Sequence, residues 1–161
     1  MARRLLTIGV YDWDLPSFLA ALREADVRLL IDVRQRRGVR GPQYAWANSK
    51  RLQSALAEAG IAYEHRPDLA PTTALRRLQY AADDREGVGK RNRDRLAPEY
   101  VAGYEEEILA AVDLDAFAAE LPTGGAAALL CVERDPEACH RSLIAERAGQ
   151  RGVEVTHLLP D

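Results

Sequence analysis

Apolar residues in this chain fall into two kinds of pattern. Continuous apolar runs, LLTIGV at 5–10, RLLIDV at 28–33 and AAALLCV at 126–132, have the length of buried strands. IAYEH at 61–65 and VEVTHL at 153–158 add two shorter ones. Between them the apolar positions recur at helical spacing. Leu15, Phe18, Leu19 and Leu22 share one face of a helix that Asp14 can cap. Leu52, Leu56 and Ala59 mark a second helix, opened by Asn48 and closed by Gly60. The middle, about 67–122, is predicted mostly helical. Thr72 or Thr73 opens one helix, and 83–95 is expected as a charged connection. Pro98 starts a helix with Tyr100, Val101, Tyr104 and Ile108 on one face, and a further helix covers 113–121. GVRGPQYAW, from Gly38, is predicted as loop. Asp135 and Pro136 predict a last helix that starts there and ends near Gly152.

Strands alternating with helices predict one compact α/β domain over residues 1–161. The expected architecture is a mostly parallel sheet of about five strands, flanked by helices, with a helical middle segment. In such sheets ligands bind beyond the carboxyl ends of the strands. Four chemically rich segments then share one edge: Tyr11 to Trp13, Arg34 to Arg40, His65 with Arg66, and Glu133 to Arg141.

Composition narrows the class. A chain of 161 residues, 47% hydrophobic and 29% charged, is that of an ordinary globular domain. Its apolar runs stay well short of a membrane span. The N-terminal MARRLLTIGVYDWD is expected to be a first strand and not a signal peptide, so a cytoplasmic location with two free thiols is expected. The net charge of −3 argues against a generic polyanion binder. Local charge tells more. Residues 33–57 hold Arg34, Arg36, Arg37, Arg40, Lys50 and Arg51 without an acid, and a second basic stretch holds Arg85, Lys90, Arg91, Arg93 and Arg95. Arginine outnumbers lysine throughout, so part of this richness is a habit of the whole chain.

Chemistry concentrates in CVERDPEACHR, 131–141. A thiol near a helix start, beside a histidine and an arginine, ionises readily and becomes nucleophilic. Cys139 either does this or packs against the sheet, while Cys131, at the end of an apolar strand, is expected to be buried and inert. Adjacent helical side chains point about 100° apart, so Cys139 and His140 need not meet. The spacing Cys-x7-Cys-His is foreign to zinc knuckles, and neither a metal nor a cofactor is expected. Arginine suits carboxylate and phosphate. Arg34, Arg37, Arg40 and Arg141 are therefore candidate anion ligands, and Glu133 a candidate partner for them. Asp32 can orient Arg34 or act as a base. Tyr11, Trp13 and Tyr44 can stack on a ring, or bury themselves.

Taken together, TIG, LIDVR, the loop up to GPQY, AGIAYEH and above all LLCVERDPEACHRSLIAE resemble the bacterial and archaeal family catalogued as domain of unknown function 488. The resemblance spans nearly the whole chain. It implies a compact α/β fold whose motif residues act together, and it brings no reaction, substrate or cofactor. Many members carry Leu-Gly-Gly after the third strand, where this chain has Asp68-Leu69-Ala70-Pro71. LIDVR is also similar to rhodanese-like sulfurtransferases. Their loop needs Cys-x5-Arg, however, and the sixth residue on from Cys131 is Glu137, from Cys139 Ala145. The expected function is thus an arginine-rich cleft for a phosphate-bearing small molecule, nucleotide or nucleic-acid end. In it Cys139 is the candidate nucleophile and His140 or Asp32 the proton handler. The alternative is a nucleic-acid-binding module without chemistry, using 34–51 and 85–95.

Overall fold

A computed structural model describes residues 2–89 and 92–161. Five strands form one sheet in the order β3-β2-β4-β1-β5: β1 (Arg4–Ile8), β2 (Val27–Asp32), β3 (Ala62–His65), β4 (Ala126–Leu130) and β5 (Glu154–His157). Every neighbouring pair is parallel. Among the described residues six α-helices accompany them: α1 (Leu15–Glu24), α2 (Ser49–Glu58), α3 (Thr73–Glu86), α4 (Pro98–Glu107), α5 (Leu114–Glu120) and α6 (Arg141–Gly149). The α/β architecture expected from the apolar pattern is the observed one, with strand ends displaced by one or two residues.

The two-residue alternation along each strand divides the core. Leu6, Ile8, Leu30, Ala128 and Leu130 face α1 and α2 through Phe18, Leu22, Leu52 and Leu56. Leu5, Ile31, Ala127 and Leu129 face the opposite layer, with Leu75, Tyr104, Phe117 and Ile144. β4 lies at the centre, so all five of its residues are buried. α1 and α2 carry the chain from β1 through β2 to β3 on one face. α6 carries it from β4 to β5 on the other. The winding therefore reverses between β1 and β4, which is where a ligand crevice opens in sheets of this kind.

Local signals act as expected at α1, where Asp14 accepts from the Ser17 backbone and the Ser17 hydroxyl answers it. Thr72 caps α3 by accepting from the Leu75 backbone N–H. Four expectations are corrected, the first being that Pro42–Ala47, within the expected loop, forms a 3-10 helix. Asn48 does not cap α2, because its Oδ1 accepts from the Val39 backbone N–H at 2.9 Å and pins the preceding loop. Residues 83–86 are not loop, because α3 continues until Gly87, at φ 68°, ends it. The last helix begins at Arg141 and not near Asp135. A short 3-10 turn, Pro136–Ala138, is followed by Cys139 in an extended conformation (φ −138°, ψ 145°), which breaks the helix.

Candidate functional site

That break builds the site. Cys139 and His140 follow one another across an extended step, and both side chains turn to the end of β4. Cys139 Sγ lies 3.7 Å from His140 Nδ1, and Cys131 Sγ lies 3.6 Å from the same nitrogen. All three residues are buried. His140 Nε2 is 2.8 Å from the Val33 carbonyl, the residue after β2, so Nε2 carries a proton and donates it there. Nδ1 is thereby aimed at the two sulfurs. The Cys131 thiol also lies 3.5 Å from Glu133 Oε2. Among the described residues, the ligand-type atoms of Cys131, Cys139 and His140 lie within 4.8 Å of one another.

The surroundings set the charge of the cluster. Burial opposes ionisation of Cys139. The hydrogen bond from Cys131 and the positive charges of His140 and Arg141 outweigh it, and hold this thiol well below its ordinary range. Burial pushes Cys131 the other way, and the neighbouring Cys139 thiolate adds to that rise. Burial alone would discharge His140, but the Cys139 thiolate raises its pKa. Of the two thiols, Cys139 is therefore the more readily ionised.

Two close approaches support the cluster. Gly9, just past β1, packs so tightly on the next segment that a Cβ there would stand 2.0 Å from the Glu133 carbonyl oxygen. Arg141 is fully buried, and its Nη1 and Nη2 donate to the carbonyls of Glu133 (2.6 Å) and Arg134 (2.9 Å). It fastens the 133–134 turn from inside and its guanidinium faces no solvent. Arg93 reaches in from the middle segment, pairing with Asp83 and Glu133 at 2.7 Å each.

A cavity of about 60 Å³ opens on the cluster, lined by Cys131, Glu133, Cys139 and His140 below and by Arg34, Arg36, Arg76, Gln79, Tyr80 and Arg93 around. That is room for a few waters or one small ligand group. It shares Arg36, Arg76, Tyr80 and Val132 with an outer groove of about 640 Å³, whose other walls include Tyr11, Val39, Arg40 and Asn92. The outer groove is of the size that holds a small molecule.

The residues singled out in the sequence thus separate. Cys139, His140 and Glu133 meet at the inner cavity, and Tyr11 and Arg40 line the outer groove. Asp32 is fully buried outside both, held by Arg34 through Nε (2.9 Å) and Nη2 (2.8 Å) and by the Tyr63 hydroxyl (2.6 Å). Arg34 borders the inner cavity, but its guanidinium is spent on Asp32 and on the Ala47 carbonyl. Arg37 turns towards the Tyr63 hydroxyl, 3.4 Å away. Tyr44 packs on Tyr11 and accepts from the Asp12 backbone N–H. Trp13 sits against Phe18 in the α1 layer. The second basic stretch is largely neutralised: Arg85 pairs with Glu99, Arg95 with Glu86, and Arg93 with two acids. Lys90 and Arg91 lie outside the described residues.

Sequence reasoning passed over Arg76, Gln79 and Tyr80, and it expected Cys131 to be buried and inert. The first three come from α3, where only a buried polar pair four residues apart, Gln79 with Asp83 at 2.9 Å, hints that this face is more than solvated surface.

The model of a family described as "Domain of unknown function DUF488" matches residues 14–148. The chain belongs to that family. The DUF488 match takes in the whole cluster, from Val33 to Arg141. No curated protein matches. Among solved structures, a conserved hypothetical protein from Aeropyrum pernix K1 is similar at 20% identity and a TM-score of 0.43, over 99% of this chain. The chain spans 39% of that protein's length. No helix among the described residues is long and apolar enough to cross a membrane.

Proposed function

We propose that this DUF488 protein binds and acts on a small phosphate-bearing molecule in its two-chambered cleft. The observation that carries the proposal is the shared wall between chambers. Arg36 and Arg76 border both the outer groove and the inner cavity, whose floor is the Cys131–Cys139–His140 cluster. Arg76 is held ready by Gln35 Oε1 at 2.7 Å and the Tyr80 hydroxyl at 2.8 Å, and among the described residues no carboxylate forms an ion pair with it. A phosphate at this wall would be gripped by planar, charge-assisted donors. The rest of the ligand would lie along the outer groove, and a small reactive group would reach the inner floor. The inner cavity is too small for a base or sugar, so only such a group fits there.

Calorimetric titration with inorganic phosphate and with nucleoside monophosphates tests this. Saturable binding is expected, weakened on the order of tenfold or more in Arg36→Ala/Arg76→Ala, since a charge-assisted hydrogen bond contributes about 1.5–3 kcal/mol. Absence of binding, or equal affinity in the double variant, would overturn it. Steeply salt-dependent binding of single-stranded nucleic acid, with none of the small molecules, would favour a nucleic-acid module instead.

A further inference from the structure

We infer that Cys131, Cys139 and His140 form a mononuclear site for a thiophilic divalent transition-metal ion, with an open coordination position on the inner cavity. In a tetrahedral zinc site the ligand atoms stand about 3.6 Å apart for sulfur and nitrogen and about 3.8 Å apart for two sulfurs. The two sulfur–nitrogen separations here are 3.6 and 3.7 Å, and all three atoms fall within 4.8 Å of one another. Two of the three separations are already those of a coordination sphere, and the two sulfurs, within 4.8 Å of each other, need to approach by no more than about 1 Å.

Histidine orientation is the second, independent observation. Nε2 donates to the Val33 carbonyl at 2.8 Å. Metal-bound histidines commonly spend their second nitrogen this way, because the bond fixes the ring and makes the ligating nitrogen more basic. The single Nδ1 atom faces both sulfurs at once, at 3.6 and 3.7 Å, and a cation between the three atoms satisfies both sulfurs and the nitrogen together. Charge also closes. Arg93 and Arg141 offset Asp83 and Glu133, so two thiolates and a divalent ion leave the buried region neutral, as burial requires.

Two thiolates and one imidazole favour zinc or ferrous iron over magnesium or calcium, which prefer oxygen. Three protein ligands leave a fourth position, and all three residues line the inner cavity. Structural zinc sites are closed by four protein ligands, whereas catalytic ones keep such an opening for water or substrate. The site stands on its own geometry, whether or not the outer arginines take a phosphate.

The test is anaerobic titration of the reduced, full-length protein with Co(II). One equivalent should saturate, giving thiolate-to-cobalt charge-transfer absorption and intense ligand-field bands of tetrahedral type, both abolished by added Zn(II). Cys131→Ser, Cys139→Ser and His140→Gln should each lower affinity by more than the roughly 10- to 100-fold that loss of an outer-shell partner costs. Circular dichroism shows whether these buried variants fold. In the wild-type protein, stoichiometric Zn(II) should protect both thiols from alkylation, and a chelator should restore it. No cobalt–thiolate absorption, or alkylation of Cys139 at the same rate with and without Zn(II), would overturn the site. Arg36→Ala/Arg76→Ala should take up cobalt as wild type does. Loss of phosphate binding with cobalt uptake intact, or the reverse, therefore separates failure of the anion site from failure of the metal site.

Discussion

Replacing Asp32 with alanine strips Arg34 of the carboxylate that neutralises it. The side chains are 0% and 1% exposed, so neither charge has water to turn to. Three hydrogen bonds from Arg34 and one from Tyr63 end on this carboxylate, at 2.6–3.1 Å. Breaking a buried pair from one side costs about 3–5 kcal/mol, because the surviving charge stays in the interior. In a domain of this size each kcal/mol moves Tm by about 2–4 °C, so Asp32→Ala should melt roughly 6–20 °C lower. Urea denaturation followed by circular dichroism measures the same loss at constant temperature. Asp32→Leu/Arg34→Met should cost less than Asp32→Ala alone, since no charge is left stranded. Its remaining deficit comes from the Ala47 carbonyl, the Tyr63 hydroxyl and the backbone N–H of residue 34, each without its partner. An Asp32→Ala cost below about 1 kcal/mol, or single costs that simply add in the double variant, would refute the reasoning. The outcome bears on chemistry too. A general base at this position would be dispensable for stability, whereas an anchor is not. This anchor holds β2 one residue before the Val33 carbonyl that orients His140.

Two further predictions concern the strands around the site. Gly9→Ala should destabilise severely or abolish soluble expression, because its Cβ would meet the Glu133 carbonyl at 2.0 Å, while Gly124→Ala, with nothing within 4 Å, should melt as wild type does. Equal melting temperatures for the two would refute the close approach. His157 shares a 2.6 Å hydrogen bond with Thr7, and burial, helped by the Arg141 charge, lowers its pKa. A depressed histidine leaves stability flat above its unfolded value of about 6.5. As pH falls through that value the unfolded state takes up the proton first, and stability drops. Wild type should therefore lose more stability between pH 8 and pH 5.5 than His157→Gln does, and an equal or smaller loss would refute the assignment.

The apolar pattern was sufficient for the layers. Runs such as LLTIGV and AAALLCV have the length and continuous apolar character of strands covered on both faces of a parallel sheet. Asp14 and Thr72 marked helix starts because capping is a local bond, made within three residues. Asn48 misled for the same reason: its side chain found a donor nine residues away, which no local rule anticipates. Gly87 ended α3 later than the charge run implied, and that carried Asp83 inside to meet Arg93.

The site divides along the same line. Sequence alone placed Cys139, His140 and Glu133 at the carboxyl edge of the sheet, because strand ends and motif spacing are local facts. It took Cys131 to be inert, and it placed Cys139 and His140 as neighbours within the first two turns of a helix, where they need not meet. Only the tertiary structure brought two sulfurs and one nitrogen together, since that depends on an extended step at Cys139, a ring fixed by Val33 across the sheet, and the register of β2 against β4. Likewise, which arginines keep their charge for a ligand is decided by distance. Arg34, Arg93 and Arg141 look like Arg36 and Arg76 in the sequence. Burial commits the first three to carboxylates and carbonyls of the fold, because a buried guanidinium must spend its donors inside, while Arg36 and Arg76 are left at the cleft.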